Sequence, residues 1–443
     1  MTIWSPRLPD SPEPIYRRIA DVLERDIRAG VLMPGSQLPT HRDLARTLGI
    51  TAVTVTRAYS ESARRGLVES STGRGTFVRA VRRDAAPPSA EIDLATNHIS
   101  VPFPPPSSAA LQRAASMLAT TYGTGAGTER HRAAGAKWLG GGVDPSRVVV
   151  TAGTQHALLL AFAATARAGE TILCESVTYH GAKAAAALLG LRLEPVAIDR
   201  FGLVPAALER AARARSGRVV YLIPSLHNPT GVTMPEKRRR DLAAVAAKHG
   251  LTLIEDDICG FLLEKTPPPL ATFAPDRTIS ITGLGKALAP AVRVGFLAAP
   301  EALLPRVHGA LAASILFATP IVAELAATWI EDGTAARLIA QKRLEITRRN
   351  AAARRILGPH VSGDPRSPHL WLELPKRWTA DAFTEEARRR RVRLASASSF
   401  AVGRDVPRAV RVSVGAAPTL AELETALQIV ASIEDERVEE PVV

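Results

Sequence analysis

Apolar residues recur at helical spacing at the start of the chain. Ile15, Ile19, Val22, Leu23 and Ile27 fall on one face of residues 15–29, behind Pro14 and ahead of Gly30. A turn at Pro34-Gly35 leads through Leu38-Pro39 to Thr40, an N-cap residue with Asp43 three positions on. The pattern predicts a short helix over 42–48, stopped at Gly49, and a second helix from Thr51 that carries Val53, Val55, Ala58 and Tyr59. Two helices around a tight glycine turn make a helix-turn-helix unit, and the N-terminal residues of the second, Thr51, Thr54, Thr56 and Arg57, can reach phosphates and base edges. After Gly66 the period shortens. Residues 67–69 and 76–78 read as strands around S-S-T-G-R-G, a hairpin with Arg74 at its tip, in the form of a wing.

Residues 80–92, V-R-R-D-A-A-P-P-S-A-E-I-D with its neighbours, are charged and proline-containing and read as a linker. Beyond them, apolar runs at 148–150, 171–173, 219–223, 251–254 and 279–281 alternate with alanine-rich helical patterns such as 157–167 and 236–249. That alternation predicts an α/β domain with a mostly parallel sheet, whose ligands bind beyond the carboxyl ends of the strands. Helical patterns over 321–356 are followed by strands at 369–374, 392–394 and 410–414. The expected organisation is a winged helix over 1–79, a linker over 80–92, a large α/β domain over 93–320 and a small α/β domain over 321–443.

Composition narrows the class. The chain has 443 residues, 46% of them hydrophobic, enough for two or three domains with large cores. A net charge of +13 suits a polyanionic partner, here double-stranded DNA. Two cysteines, Cys174 and Cys259, supply neither a disulfide framework nor a metal pattern, so no metal site is expected. The first residues lack an apolar leader segment, and the most apolar stretch, 157–166, is far short of a membrane span. A cytoplasmic protein with no membrane partner is expected.

The candidate chemistry centres on 278–300, where apolar runs flank a glycine-rich turn carrying Lys286, with Arg293 seven residues later. A lysine at the end of a buried strand and near other cations loses its proton readily and becomes a nucleophile for a Schiff base. Pyridoxal 5'-phosphate is the cofactor that uses such a lysine, and Arg293 can hold its phosphate. Thr151-Ala152-Gly153-Thr154-Gln155 links a strand to a helix and can present backbone N–H groups to an anion. Tyr179 follows another strand and can stack on a flat ring. Three acids, Glu255, Asp256 and Asp257, close a further strand, and a buried carboxylate there keeps a pyridine nitrogen protonated. Arg411 interrupts a short apolar strand, where an unpaired charge is costly and a bidentate carboxylate resolves the cost.

These segments carry two resemblances. P-G-S-Q-L-P-T-H-R-D-L-A-R-T-L-G-I-T-A-V-T-V-T-R-A-Y, with R-G-L-V and G-R-G-T-F-V, resembles the winged helix of the GntR family, which implies Arg42, Thr54, Arg57 and Arg74 as DNA contacts. N-P-T-G at 228–231, E-D-D at 255–257 and the segment around Lys286 resemble fold-type I aminotransferases. Their union is similar to the MocR subfamily of bacterial regulators. The resemblance implies Lys286 as the Schiff-base lysine and Gly153, Thr154 and Gln155 as the phosphate cup. It further implies Asn228 on the cofactor's phenolic oxygen, Asp256 (with Asp257 as the alternative) on the ring nitrogen, and Arg411 on the carboxylate of an amino-acid-type effector. Tyr122 resembles the residue that reaches the phosphate of a neighbouring subunit, which implies a homodimer.

Two departures bear on the cofactor. Gly283 and Gly285 stand where the family has serines, with Thr282 as a partial substitute, and Cys259 stands where it has a tyrosine. The expected function is a pyridoxal-phosphate-dependent transcriptional regulator that senses an amino acid or the cofactor itself. The alternatives are an active aminotransferase with a DNA-binding arm and a regulator whose site is vestigial.

Overall fold

Ile19, Leu23, Leu44 and Val55 are wholly buried, so the apolar faces read from the first sixty residues meet in one core, each side chain worth roughly 2 kcal/mol. This is seen in a computed structural model of the chain. It describes residues 4–28, 31–32, 36–71, 75–78, 91–100, 108–117, 125–140, 142–214 and 216–435. The chain forms two compact units, Met1–Ala90 and Glu91–Val443.

In the first unit the helices are Ile15–Arg28, His41–Leu48 and Ala52–Arg64. Thr40 caps the second, its hydroxyl accepting from the Asp43 amide at 3.2 Å, and Gly49 ends it at φ 65°, a conformation glycine takes without strain. Thr51 caps the third in the same way through the Thr54 amide. Strands Val68–Ser71 and Gly75–Val78 pair antiparallel, completing a winged helix. Val53 does not join the core as its place in the pattern implied. It is 65% exposed on the third helix, two positions before Val55 and so on the opposite side of the helix. Arg74 lies outside the described residues.

The second unit is built on a seven-stranded sheet in the order Val148–Thr151, Gly295–Ala298, Thr278–Gly283, Thr252–Asp256, Val219–Leu222, Thr171–Glu175, Arg192–Val196. All strands run parallel except Gly295–Ala298, which is antiparallel to both neighbours. Runs such as Val148–Thr151 and Val219–Leu222 are buried along their whole length, because helices cover both faces. The edge strand Arg192–Val196 carries Pro195 and two exposed positions, so its sequence lacks a strong period.

A second, antiparallel sheet orders Val361–Ser362, His369–Glu373, Ala409–Ser413 and Ala395–Ser396. It packs with the helices Thr334–Leu357 and Leu420–Asp435 around its own core. Residues 91–100 pack with this C-terminal core, through a separate two-stranded pairing, rather than with a linker or with the large sheet. Ile92–Asp93 pairs parallel with Val392–Arg393, and Leu94 and Ile99 are buried among the C-terminal apolar residues. The expected boundaries at 92 and 93 therefore fall inside a strand. Two backbone rungs, Ile92 N to the Arg391 carbonyl and Leu94 N to the Arg393 carbonyl, hold that strand.

Candidate functional site

Four strands of the large sheet end at one cavity of about 410 Å³. It is lined by Thr154 and Gln155 beyond the first, Tyr179 beyond the second, Asp256 at the end of the third, and Gly283 and Lys286 at the end of the fourth. Arg293 and residues Thr96, Asn97 and His98 complete the wall. The carboxyl ends of parallel strands are where such sheets bind ligands.

One side of the cavity is arranged for an anion. Helix Thr154–Thr165 begins at Gly153, φ 87°, with no side chain capping its first N–H groups, so those donors face the cavity. A Cβ on Gly153 would lie 2.9 Å from Arg293 Nη2, so the guanidinium sits against the helix start because residue 153 has no side chain. Arg293 is exposed, and its side chain has no hydrogen-bond or ion-pair partner among the described residues. Gln155 donates Nε2 to the Gly181 carbonyl at 2.8 Å, and its Oε1 is buried without a partner.

The opposite side holds the acid. Asp256 is 3% exposed, and Tyr221, wholly buried in the adjacent strand, donates its hydroxyl to Asp256 Oδ2 at 2.8 Å. Asp256 Oδ1 is buried with no partner among the described residues. Burial pushes this carboxyl up to about 7, against the hydrogen bond from Tyr221. Burial also depresses the Lys286 amine below the usual lysine range, with Arg411 and Arg293 acting in the same direction. Lys286 Nζ donates to the Asn97 carbonyl. Lys342, from helix Thr334–Leu357, fixes the lysine's turn by donating to the carbonyls of Lys286 at 2.8 Å and Leu288 at 2.9 Å. Burial lowers the Lys342 amine to about 8.

Strand alternation separates neighbours that the sequence left equivalent. Asp256 faces this cavity, whereas Glu255 and Asp257 face a second cavity on the other side of the sheet. Asp257 there accepts from Ser225 Oγ at 3.2 Å and the Gly260 amide at 2.7 Å. Thr282 also lines the second cavity, so it does not supply the hydroxyl missing at Gly283, as had been expected of it. A Cβ on Gly283 would stand 2.7 Å from Thr154 Cγ2, which accounts for glycine at that position. At Gly285 the nearest atoms to a Cβ are 3.7 Å away. Cys259 is buried and does not line the cavity; burial holds its thiol up at about 12.

Asn228 and Arg411 lie behind the wall, bonded to each other. Arg411 Nη1 donates to Asn228 Oδ1 at 2.7 Å, and Nη2 to the Ala95 carbonyl. Its partners are neutral, its Nε is buried without a partner, and the guanidinium stacks 4.8 Å from the Phe400 ring centroid. Burial lowers Arg411 to about 10. Tyr122 lies outside the described residues. Tyr221, Lys342 and the segment 95–98 were not singled out by the sequence. Tyr221 reads as one apolar position among V-V-Y-L, and nothing local in 95–98 announces contact with a lysine 189 residues away.

In the first unit Arg42 and Arg57 are exposed and have no partner among the described residues. Arg64 and Arg65, two turns further on, are held by Glu61, Asp21 and Glu24. Thr56 is exposed, its hydroxyl bonded to the Ala52 carbonyl at 3.0 Å. Thr51 and Thr54 share a hydroxyl contact of 2.9 Å, so their first task is the cap. Among the described residues there is no cluster fit to hold a metal, and no helix is long and apolar enough to cross a membrane.

Comparison with known proteins agrees with this layout. Residues 89–430 match the family described as aminotransferase class I and II, and residues 15–78 match bacterial regulatory proteins, gntR family. The chain is similar to the HTH-type transcriptional regulator YdeF of Bacillus subtilis, 32% identical over 98% of this chain and 97% of that protein. It is 31% identical to the HTH-type pyridoxine biosynthesis transcriptional regulator PdxR of Corynebacterium glutamicum over 66% of this chain and 67% of that one. The kynurenine aminotransferase of Pyrococcus horikoshii superposes with a TM-score of 0.71 at 22% identity, covering 80% of this chain and 93% of that one, a likeness of fold.

Proposed function

The chain belongs to the class I and II aminotransferase family and carries a gntR-family regulatory domain at its N-terminus, and from that premise we propose that it is a transcriptional regulator that reads a pyridoxal-phosphate-based ligand state. The observation that carries the reading is the convergence of Lys286, Asp256 and Arg293 on one cavity, in a chain whose other unit is a winged helix.

The residues present fit the cofactor. Asp256 Oδ1, buried and without a partner, is an acceptor for a ring N–H. Arg293 and the N–H groups at Thr154 and Gln155 form a cradle for a phosphate dianion. Tyr179 lines the cavity and would stack on the ring, and Asn228, behind the wall with its Oδ1 held by Arg411, would turn its N–H groups to the phenolic oxygen. Pyridoxal phosphate supplies an electrophilic carbonyl on an electron-withdrawing ring. The chain's own residues do the rest. Lys286, whose amine burial depresses below the usual lysine range, would be the nucleophile that anchors the ligand. Asp256 holds a proton on the ring nitrogen. Arg411 is the site for a carboxylate, which makes an amino acid, or the cofactor itself, the sensed molecule.

In the other unit Arg42, Thr56 and Arg57 contact DNA directly, Thr51 and Thr54 set the angle of the recognition helix, and Arg74 is a further DNA contact by the resemblance to the GntR family. Double-stranded DNA is the macromolecular partner, the assembly a homodimer with Tyr122 contributed across the interface, and the compartment the cytoplasm.

The test is the visible spectrum of the full chain with added pyridoxal phosphate, beside Lys286→Ala, with DNA affinity measured on the same samples. A cofactor band lost in the variant, together with DNA binding that changes on cofactor addition, is expected. DNA binding indifferent to the cofactor overturns the sensing role. A second reading, an active aminotransferase with a DNA-binding arm, is favoured by the retention of Lys286, Asp256 and Arg411 together. It requires multiple-turnover exchange between an amino acid and a keto acid.

A further inference from the structure

The two cations that the proposed ligands require are both held by one short piece of backbone. Lys286 donates to the Asn97 carbonyl and Arg411 to the Ala95 carbonyl. Between them, Thr96, Asn97 and His98 line the cavity. This strap is tied down at every turn by groups outside the cavity. Asp93 Oδ1 accepts from the amides of Ala95 at 2.8 Å and Thr96 at 2.9 Å, and Asp93 Oδ2 accepts from Thr96 Oγ1 at 2.6 Å. The Asn97 amide side chain bonds His369 Nδ1 at 3.1 Å. The Ser413 amide donates to the Leu94 carbonyl at 2.8 Å, and the Ser100 amide to the Gly415 carbonyl at 2.9 Å. His369 Nε2 is turned to the His227 carbonyl at 2.9 Å, which leaves Nδ1 to accept from Asn97.

A carboxylate on Arg411 would compete with the Ala95 carbonyl, and a carbonyl compound condensing with the Lys286 amine, with loss of water, would leave that nitrogen at most one N–H and turn it toward the ligand, away from Asn97. A charged guanidinium prefers a carboxylate to a neutral carbonyl, so the ligand wins that exchange. The strap then keeps only its peripheral ties. In sequence it leads straight back through Asp93, Ile92 and Glu91 to residues 79–90 and the winged helix.

Resting on the reading of the cavity given above, we infer that residues 94–100 are an internal strap bonded to Lys286 and Arg411, which a ligand competing for those two side chains releases, so that occupancy of the cavity is passed to the segment leading into the DNA-binding unit. The ligand thereby has the differential affinity for two states that a switch requires.

Gly415 offers a way to disturb the strap without touching either cation. A Cβ there would overlap the His98 carbonyl and press on Ile99 Cα. In the full chain, Gly415→Ala is expected to raise amide hydrogen exchange at residues 95–100 and to tighten pyridoxal phosphate binding roughly three- to tenfold, because the competing bonds are weakened. In the wild type, adding pyridoxal phosphate alone is expected to raise exchange at the same amides while a Lys286-dependent absorbance band appears. A band with unchanged or slower exchange at 95–100 overturns the strap and leaves the cofactor reading intact. If no band appears, the cofactor reading fails by itself. The strap is then decided without ligand by Lys286→Ala and Arg411→Gln, each folded by circular dichroism. Faster exchange at 95–100 upholds it, and unchanged exchange overturns it.

Discussion

Tyr221 and Asp256, both buried, share a hydrogen bond of 2.8 Å that occupies Asp256 Oδ2 and leaves Oδ1 as the acceptor turned to the cavity. The tyrosine thus does two things. It fixes the rotation of the carboxyl, and it stabilises the ionised form against burial.

Stability should therefore depend on pH through Asp256. Its carboxyl is raised to about 7 in the folded chain from an ordinary value of 3.8. The native state binds a proton between those pH values that the unfolded state has lost, so this group's contribution is full in acid and is lost as pH rises through 7. Asp256→Asn removes the buried charge. The cofactor-free variant is expected to melt higher than the wild type at pH 8, by up to about 4 kcal/mol of stability, with the gap narrowing below pH 7 and closing only as pH falls toward 3.8. Its affinity for pyridoxal phosphate is expected to fall at least tenfold, read by spectral titration.

Tyr221→Phe leaves Asp256 Oδ2 without its donor in a dry site. A loss of roughly 1–3 kcal/mol at pH 8 is expected, shrinking in acid as the carboxyl takes up a proton. A pH-independent loss would mean that Tyr221 acts by packing against Phe162, whose ring it meets edge-on at 5.6 Å.

The two glycines before Lys286 should respond differently to serine. Gly283→Ser drives a Cβ to 2.7 Å from Thr154 Cγ2 at the start of the anion-binding helix, so lower thermal stability and weaker cofactor binding are expected. Gly285→Ser has 3.7 Å of room beside Arg293 Nη1. It should fold normally and bind pyridoxal phosphate several-fold more tightly by adding one hydroxyl, worth about 1 kcal/mol, near the phosphate cradle. Equal behaviour of the two variants would refute the assignment of that cradle.

On DNA, Arg42→Ala and Arg57→Ala should each weaken binding to a duplex and lower the slope of log affinity against log salt by about 1. Arg64→Ala, at a position already paired with Glu61 at 2.9 Å, should change the slope little. Fluorescence anisotropy across a salt series distinguishes the three.

Local chemistry determined much of this protein. Caps at Thr40 and Thr51, the stop at Gly49 and the alternation of apolar runs with helical patterns depend on neighbours a few residues apart, and they appear where the pattern put them. Asp256, Thr154, Gln155, Tyr179 and Lys286 lie at or beyond the carboxyl ends of parallel strands, and Arg293 just ahead of the antiparallel strand Gly295–Ala298, whose start is at the same edge, so they meet. Tertiary structure decided what local pattern leaves open. A strand's period of two sends Asp256 and Asp257 to opposite faces, but which face holds the cavity depends on the helices that pack there, and Thr282 went to the other side for the same reason. Val53 turned outward because the third helix begins one residue after Thr51 and the packing of Val55, Ala58 and Tyr59 sets its rotation. Residues 91–100 were read as linker and large domain because no period marks them. Their place beside Val392–Arg393, and their grip on Lys286 and Arg411, come from backbone carbonyls, which every residue carries and no sequence distinguishes.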